Sequence, residues 1–250
     1  MNLIGHRGAA AVAPENTLAG IRQGLQEGAD GLEIDVRRSK DGRIVVIHDN
    51  DTGRTTGQPG RVAERTLAEI QSLDAGSWKG PAWAGEKVPT LESVLAAVPD
   101  GKRLLIEIKC EPEVLDELER LLAASGRRPD ETALIAFDLS TIRQAKQRMP
   151  QHPAYWIQGT TPRWDALAGR PSGSVDELIE TCHKSGLDGL SLAYQSEIAR
   201  QHVQRLCKLG KTICVWTVND AAAARRLLAL GVETIVSDCP GRLRAELAGG

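Results

Sequence analysis

Aromatic side chains are scarce in this chain: one Phe, two Tyr and five Trp among 250 residues. A core of ordinary size must therefore be built from Ala, Val, Ile and Leu. Net charge is nearly absent too. Lys and Arg total 31 against 33 Asp and Glu, leaving −2 at pH 7, which removes bulk electrostatic attraction to nucleic acid or an anionic membrane as the basis of function. Cysteine is sparse: Cys110, Cys182, Cys207, Cys214 and Cys239 are odd in number and contain no Cys-x-x-Cys pair. That argues against a disulfide framework or a zinc knuckle and reads each as a small buried apolar side chain. No apolar run approaches the roughly eighteen residues of a membrane helix. The opening Met-Asn-Leu-Ile-Gly-His-Arg-Gly has no basic segment followed by a hydrophobic stretch, so no signal peptide is read there. The expectation is a cytoplasmic protein with no nucleic-acid partner and no membrane insertion, its oligomeric state left open.

What is present is a regular alternation. Short β-branched runs occur at Leu3–His6, Gly31–Val36, Arg103–Lys109, Thr132–Phe137, Ala154–Gln158, Gly189–Ala193, Thr212–Thr217 and Thr234–Ser237. Amphipathic stretches fall between them at Asn16–Glu27, Glu113–Ala124, Asp176–Ser185, Ile198–Leu209 and Asp220–Leu230. Gly28, Gly186, Gly210 and Gly231 each stand between a helix and the next strand, where a left-handed C-terminal residue is expected. Helix, glycine and short strand in repetition, with eight such strands in all, predict one α/β domain over residues 1–250, a TIM (β/α)8 barrel. A doubly wound open sheet is the alternative, weakened because no Gly-x-Gly-x-x-Gly follows the first strand.

One stretch breaks the rhythm. Asp41-Gly42, between two β-rich runs, predicts a hairpin with these as its central residues. Pairing partners would then sum to about 83, which sets Asp35 opposite His48. The Thr-, Gly-, Pro- and Trp-rich segment from about 50 to 89 reads as a small inserted subdomain after strand 2, on the barrel face where catalytic loops sit.

Charged side chains gather at the strand ends. His6 and Arg7 close the first strand; Glu33 and Asp35 share one face of the second by the period of two, as do Glu107 and Lys109 on the third. His48 closes the hairpin. Burying Glu33, Asp35 and Glu107 together is costly without a cation, and an all-oxygen set suits a hard divalent ion, Mg2+ or Ca2+. Arg7 and Lys109 beside it imply an anionic ligand such as phosphate. Two histidines there can serve as general acid and general base. His152, His183 and His202 lie away from the strand ends and read as surface or packing residues. Asn16 reads most simply as a helix N-cap.

The residues now carry a resemblance. Gly5-His6-Arg7-Gly8-Ala9, Pro14-Glu15-Asn16-Thr17, Leu32-Glu33-Ile34-Asp35, Lys40-Asp41-Gly42, Ile47-His48-Asp49, Arg54-Thr55-Thr56-Gly57, Leu73-Asp74-Ala75-Gly76, Val88-Pro89-Thr90-Leu91, Ile106-Glu107-Ile108-Lys109, Trp216-Thr217-Val218-Asn219 and Ser237-Asp238 follow one another as in the glycerophosphodiester phosphodiesterase family, which the chain resembles from residue 5 to residue 238. The resemblance implies a divalent metal on Glu33, Asp35 and Glu107, with Mn2+ beside Mg2+ and Ca2+ as candidate ions. It makes His6 and His48 the catalytic acid–base pair and places Arg7 and Lys109 on the phosphate. Phe137 and Trp216 sit where the family packs apolar groups beside the glycerol. The implied reaction converts a small-molecule glycerophosphodiester and water into sn-glycerol 3-phosphate and an alcohol. Ala136-Phe137-Asp138 departs from the Ser-Phe-Asp common in the family, which removes one hydroxyl from the expected contacts. A lysophospholipid-cleaving, phospholipase D-like enzyme on the same barrel is the second expectation, and a barrel that binds phosphodiesters without turning them over is the third.

Overall fold

Gly-terminated helices and short apolar strands close into a barrel in the computed structural model, which describes residues 1–110, 112–160 and 173–249. The strands are β1 (Asn2–Gly5), β2 (Gly31–Arg38), β3 (Ile44–Val46), β4 (Arg103–Ile108), β5 (Thr132–Ala136), β6 (Ala154–Gln158), β7 (Gly189–Ala193), β8 (Thr212–Trp216) and β9 (Thr234–Ser237). Eight of them pair in parallel in the order β1-β9-β8-β7-β6-β5-β4-β2, and β1 returns to β2 to shut the cylinder. β3 is the antiparallel arm of the β2 hairpin. The expected barrel is thus present, and the eight expected strands differ from the observed ones by at most two residues at an end.

Sequence chemistry explains the local choices. Helix starts carry side-chain caps: Thr17, Asp138 and Asp220 accept the N–H three residues on, and Ser174 with Glu177 forms a capping box. The Ala221–Leu230 helix stops at Gly231, whose φ of 101° is open only to a residue without a Cβ clash. Strands buried on both faces alternate between two cores. Ile4, Leu105, Ile135, Tyr155, Ile157 and Val236 point into the barrel, while a larger shell that includes Leu32, Ile34, Leu104, Ile106 and Leu190 packs under the helices. Each such side chain contributes about 1.5–3 kcal/mol on burial.

The hairpin differs from expectation by one residue. Val36 pairs with Val46 and Arg38 with Ile44, a sum of 82, and Asp35 accepts from the N–H of Ile47 at 2.9 Å. Gly42 donates to the Ser39 carbonyl, so Lys40 and Asp41 are the central residues and Gly42 follows them at φ 81°. A three-residue loop ending on a left-handed glycine has displaced the two-residue turn.

Residues 50–89 form the small insert after the hairpin. They contain two short helices, Gly53–Thr56 and Leu67–Ser72, and two single 3-10 turns. Val62, Ile70, Ala75 and Val88 build a separate apolar cluster with Val45 and Ile47 of the hairpin. Lys79 Nζ reaches the Ala10 carbonyl and Glu86 meets Arg22, which fastens the insert to the first βα unit. Among the described residues no helix is long and apolar enough to cross a membrane. None of the five cysteines forms a disulfide. Cys182, Cys214 and Cys239 are buried as expected, but Cys110 is half-buried and Cys207 on an outer helix is exposed.

Candidate active site

Register stacks the charges at the C-terminal mouth of the barrel. Asp35 on β2 lies beside Glu107 on β4, and Glu33 is one inward step lower, beside Leu105. Below this level the inward positions are apolar, so the carboxylates sit on the closed floor of the mouth. Glu33, Asp35 and Glu107 are 2%, 0% and 6% exposed, and each offers an oxygen within 4.8 Å of the others.

The turn after β1 is held to an unusual shape. A Cβ on Gly5 would lie 2.1 Å from the Gly8 carbonyl, and one on Gly8 (φ 93°) would lie 2.4 Å from the backbone of Gly20. Between them Arg7 takes φ 50°, and Asn16, which donates its N–H to the Arg7 carbonyl, takes φ 57°. Left-handed backbone costs a non-glycine residue about 1–2 kcal/mol. Here it lets three groups reach the carboxylates. The Arg7 N–H donates to Glu33 Oε2 at 3.0 Å, Arg7 Nε pairs with Asp35 Oδ2 at 3.1 Å, and Asn16 Nδ2 donates to the same oxygen at 2.8 Å. Thr17, not Asn16, is the helix N-cap, so Asn16 is a site residue that the cap reading missed.

Electrostatics point to a missing positive charge. Burial pushes the Glu33 carboxyl well above the usual carboxylate range, and Asp35 and Glu107 push it the same way. Glu107 is raised by burial and by Asp35, against Lys109 Nζ at 2.6 Å. Burial also opposes ionisation of Asp35, but Arg7, Lys109 and His48 outweigh it and hold that carboxyl low. Glu33 Oε1 and Asp35 Oδ1 are buried with no hydrogen-bond donor, Asp35 Oδ1 facing only the Lys109 ammonium at 3.5 Å. Two orphan acceptors in an all-carboxylate set fit a hard divalent cation bound by oxygen.

Both expected histidines reach the same cavity, and each rests on a carboxylate. His6 Nδ1 lies 2.6 Å from Asp238 Oδ1, and Asp238 is itself held by Asn219 Nδ2 at 2.6 Å. His48 Nδ1 lies 2.6 Å from Asp49 Oδ1. Burial opposes ionisation of Asp49, yet Arg54 and His48 bring its pKa down to about 2; His6 and Asn219 likewise hold Asp238 low against burial. An ionised carboxylate only accepts, so each Nδ1 carries a proton and Nε2 is the ring nitrogen left for proton transfer. Burial also holds the His48 imidazole below its ordinary pKa, only partly countered by Asp35.

A cavity of about 140 Å3 is lined by His6, Arg7, Glu33, His48, Glu107, Lys109, Phe137 and Trp216, with Asp35 buried behind them. All nine residues expected from sequence therefore meet at one place. Phe137 and Trp216 form an edge-to-face pair, centroids 5.9 Å apart, and Lys109 Nζ stands 5.0 Å from the Phe137 ring centre. Ser191 and Thr217 also line the cavity, and Glu15 ties Arg7 to Arg54. Neither role was readable from spacing, since the partners lie on separate turns of the chain.

Residues 6–242 match the model of the glycerophosphoryl diester phosphodiesterase family. The chain belongs to that family. YhdW of Bacillus subtilis is 35% identical to this family member over 244 residues, covering 96% of this chain and 95% of that protein. The glycerophosphodiester phosphodiesterase of Caldanaerobacter subterraneus subsp. tengcongensis is 30% identical, covering 96% and 95%. Among solved structures, a phosphodiesterase from Oleispira antarctica in complex with the product sn-glycerol-3-phosphate superposes with a TM-score of 0.86 at 27% identity, covering 99% of this chain and 97% of that one. The family match extends over both histidines and all three buried carboxylates.

The remaining histidines lie outside the cavity. His152 and His202 are buried in packing, where His152 Nδ1 meets the Thr132 carbonyl and His202 Nδ1 accepts the Ala199 N–H; His183 is exposed on a helix. Asp138, next to Phe137, is occupied as the cap of the following helix.

Proposed function

We propose that the chain hydrolyses glycerophosphodiesters to sn-glycerol 3-phosphate and an alcohol, using the cavity at the barrel mouth. The observation that carries this reading is the pair of carboxylate-oriented imidazoles, His6 and His48, over three mutually close buried carboxylates. A divalent ion held by Glu33, Asp35 and Glu107 (Mg2+ or Ca2+, with Mn2+ as a third candidate) would neutralise the carboxylates and draw charge from the phosphate oxygens. Arg7 and Lys109 donate to those oxygens from the cavity wall. One imidazole accepts through Nε2 the proton of the attacking water or glycerol hydroxyl, and the other, protonated on both ring nitrogens, delivers its Nε2 proton to the departing alkoxide. Where the glycerol hydroxyl attacks, water then opens the cyclic phosphate. Phe137 and Trp216 give the glycerol carbons an apolar wall and keep bulk water from that side. The catalytic unit is the whole 1–250 domain, because the 50–89 insert supplies Arg54, which clamps Asp49 and Glu15. Five cysteines without a disulfide are in keeping with a reducing, cytoplasmic setting.

The test is release of glycerol 3-phosphate from glycerophosphocholine, first with chelator, then with Mg2+, Ca2+ or Mn2+ restored, and with lysophosphatidylcholine in parallel. Metal-dependent release from the soluble diester is expected. Cleavage of the lysolipid alone would overturn the substrate class, and full activity in chelator would remove the metal.

A further inference from the structure

Beside the catalytic cavity lies a recess of about 250 Å3 lined by Arg37, Arg38, Asn50, Arg61, Val62 and Lys109, among others. Lys109 also lines the catalytic cavity and a larger groove of about 580 Å3 that runs past Phe137 and Thr141. Lys109 is thus a common wall residue of all three spaces.

The recess differs from the catalytic cavity in how its cations are balanced. Arg7 and Lys109, at the phosphate, are already paired with carboxylates. None of the residues lining the recess is an Asp or a Glu. Arg37 is anchored by neutral groups, donating from Nε to the His48 carbonyl at 2.8 Å and from NH1 to the Lys109 carbonyl at 2.7 Å. Asp35, Asp49 and Glu107 act on its charge from farther off, without an ion-pair contact. Among the described residues Arg38 has no carboxylate within ion-pair distance, and Arg61 meets Glu64 at 3.4 Å where both side chains are about two-thirds exposed. A pair so exposed offsets little of the arginine's field. In the adjoining groove the carboxylate is Asp138, whose Oδ1 already accepts from the Thr141 N–H and hydroxyl.

We propose that this recess binds an anionic group carried by the leaving alcohol, a second phosphate or phosphodiester, so that the preferred substrates are glycerophosphodiesters whose leaving group is itself an anion. The inference rests on the hydrolytic reading of the neighbouring cavity. A cationic leaving group such as choline would enter a space with several positive charges and no facing carboxylate. The aromatic face that could cage it, Phe137, has Lys109 standing over it. A phosphate there would instead meet guanidinium groups that can bind it in bidentate fashion.

Three substrates with a common glycerophosphoryl half separate the cases: glycerophosphocholine, glycerophosphoglycerol, and glycerophosphoglycerol carrying a terminal phosphate. The terminal phosphate should raise kcat/KM over glycerophosphocholine about tenfold at low ionic strength, at about threefold for each half-exposed arginine contact, with the advantage shrinking as salt is added. The variant Arg38→Glu/Arg61→Glu should erase or invert that ratio, and Arg38→Ala/Arg61→Ala should reduce it. Both side chains are exposed, so the fold tolerates the change. Equal kcat/KM for the three substrates, or a ratio untouched by both variants, would overturn the recess assignment and leave the hydrolytic reading standing. No glycerol 3-phosphate from any of the three would overturn the hydrolytic reading, and this inference with it.

Discussion

His6 and His48 make the same contact, Nδ1 to a carboxylate oxygen at 2.6 Å, yet the two are built in opposite ways. His6 is oriented by Asp238, 232 residues away, across the β1–β9 pairing that helps close the barrel. Asp238 is steadied by Asn219, whose side chain also accepts the Asp238 N–H, so this arm is part of the barrel itself. His48 is oriented by its immediate neighbour Asp49, on the outgoing end of a hairpin. Its support comes from Arg54 of the insert, which binds Asp49 and, through Glu15, reaches back to Arg7. One arm is held by long-range strand pairing and the other by local chain geometry plus an ion-pair chain. The barrel orients one imidazole, and the insert supports the other.

Removing either ring tests the pairing most severely. His6→Ala and His48→Ala should each lower kcat by roughly 10²–10⁴-fold, and a rate retained in either variant would dissolve the pair. Replacing the supports should then separate the two arms. In Asp238→Asn an amide N–H can face His6 Nδ1–H and favour the wrong tautomer, with a loss of about 10²-fold in kcat. Asp49→Asn should cost nearer tenfold, because Arg37 still holds the His48 backbone carbonyl. Equal losses would erase the distinction. Arg54→Ala should be milder again, about threefold to tenfold in kcat/KM, with little change in Tm since its side chain is 44% exposed. The smallest effect concerns pH and the insert. Asp74 accepts from the N–H groups of Gly76, Ser77 and Gly85 and from the Ser77 hydroxyl, which hold its carboxyl below the usual range. A depressed folded value stabilises the insert at neutral pH, and that support is lost as pH falls below about 4 and on through the folded value. Protection factors at Gly76, Ser77 and Gly85, taken against the intrinsic exchange rate at each pH, should fall in acid in the native chain and should already be low at pH 7 in Asp74→Asn. Protection unaltered by acid would show that other contacts hold the loop.

The comparison also explains what could be read in advance. Strand positions and their inward faces follow from local periodicity, so Glu33, Asp35 and Glu107 were visible as a set and the barrel with them. His48-Asp49 stood side by side in the chain. Asp238 and Asn219 carried no local sign of their role, because their meaning depends on β9 lying beside β1. The hairpin register slipped by one for a related reason: Ser39-Lys40-Asp41-Gly42 is compatible with two loop lengths, and tertiary pairing of β2 and β3 decides between them. Asn16 was misplaced because Thr17 next to it caps equally well, which frees Asn16 for Asp35.

The distance between His6 and Asp238 along the chain has a consequence during synthesis. A ribosome adding about 5–20 residues per second needs roughly ten to fifty seconds to pass from one to the other. Once Glu107 has been added, and for the rest of that interval, the nascent polypeptide carries all three acidic residues and both imidazoles, but His6 has nothing to set its tautomer. A chain truncated before β9 would be a silent product rather than a poorly regulated hydrolase.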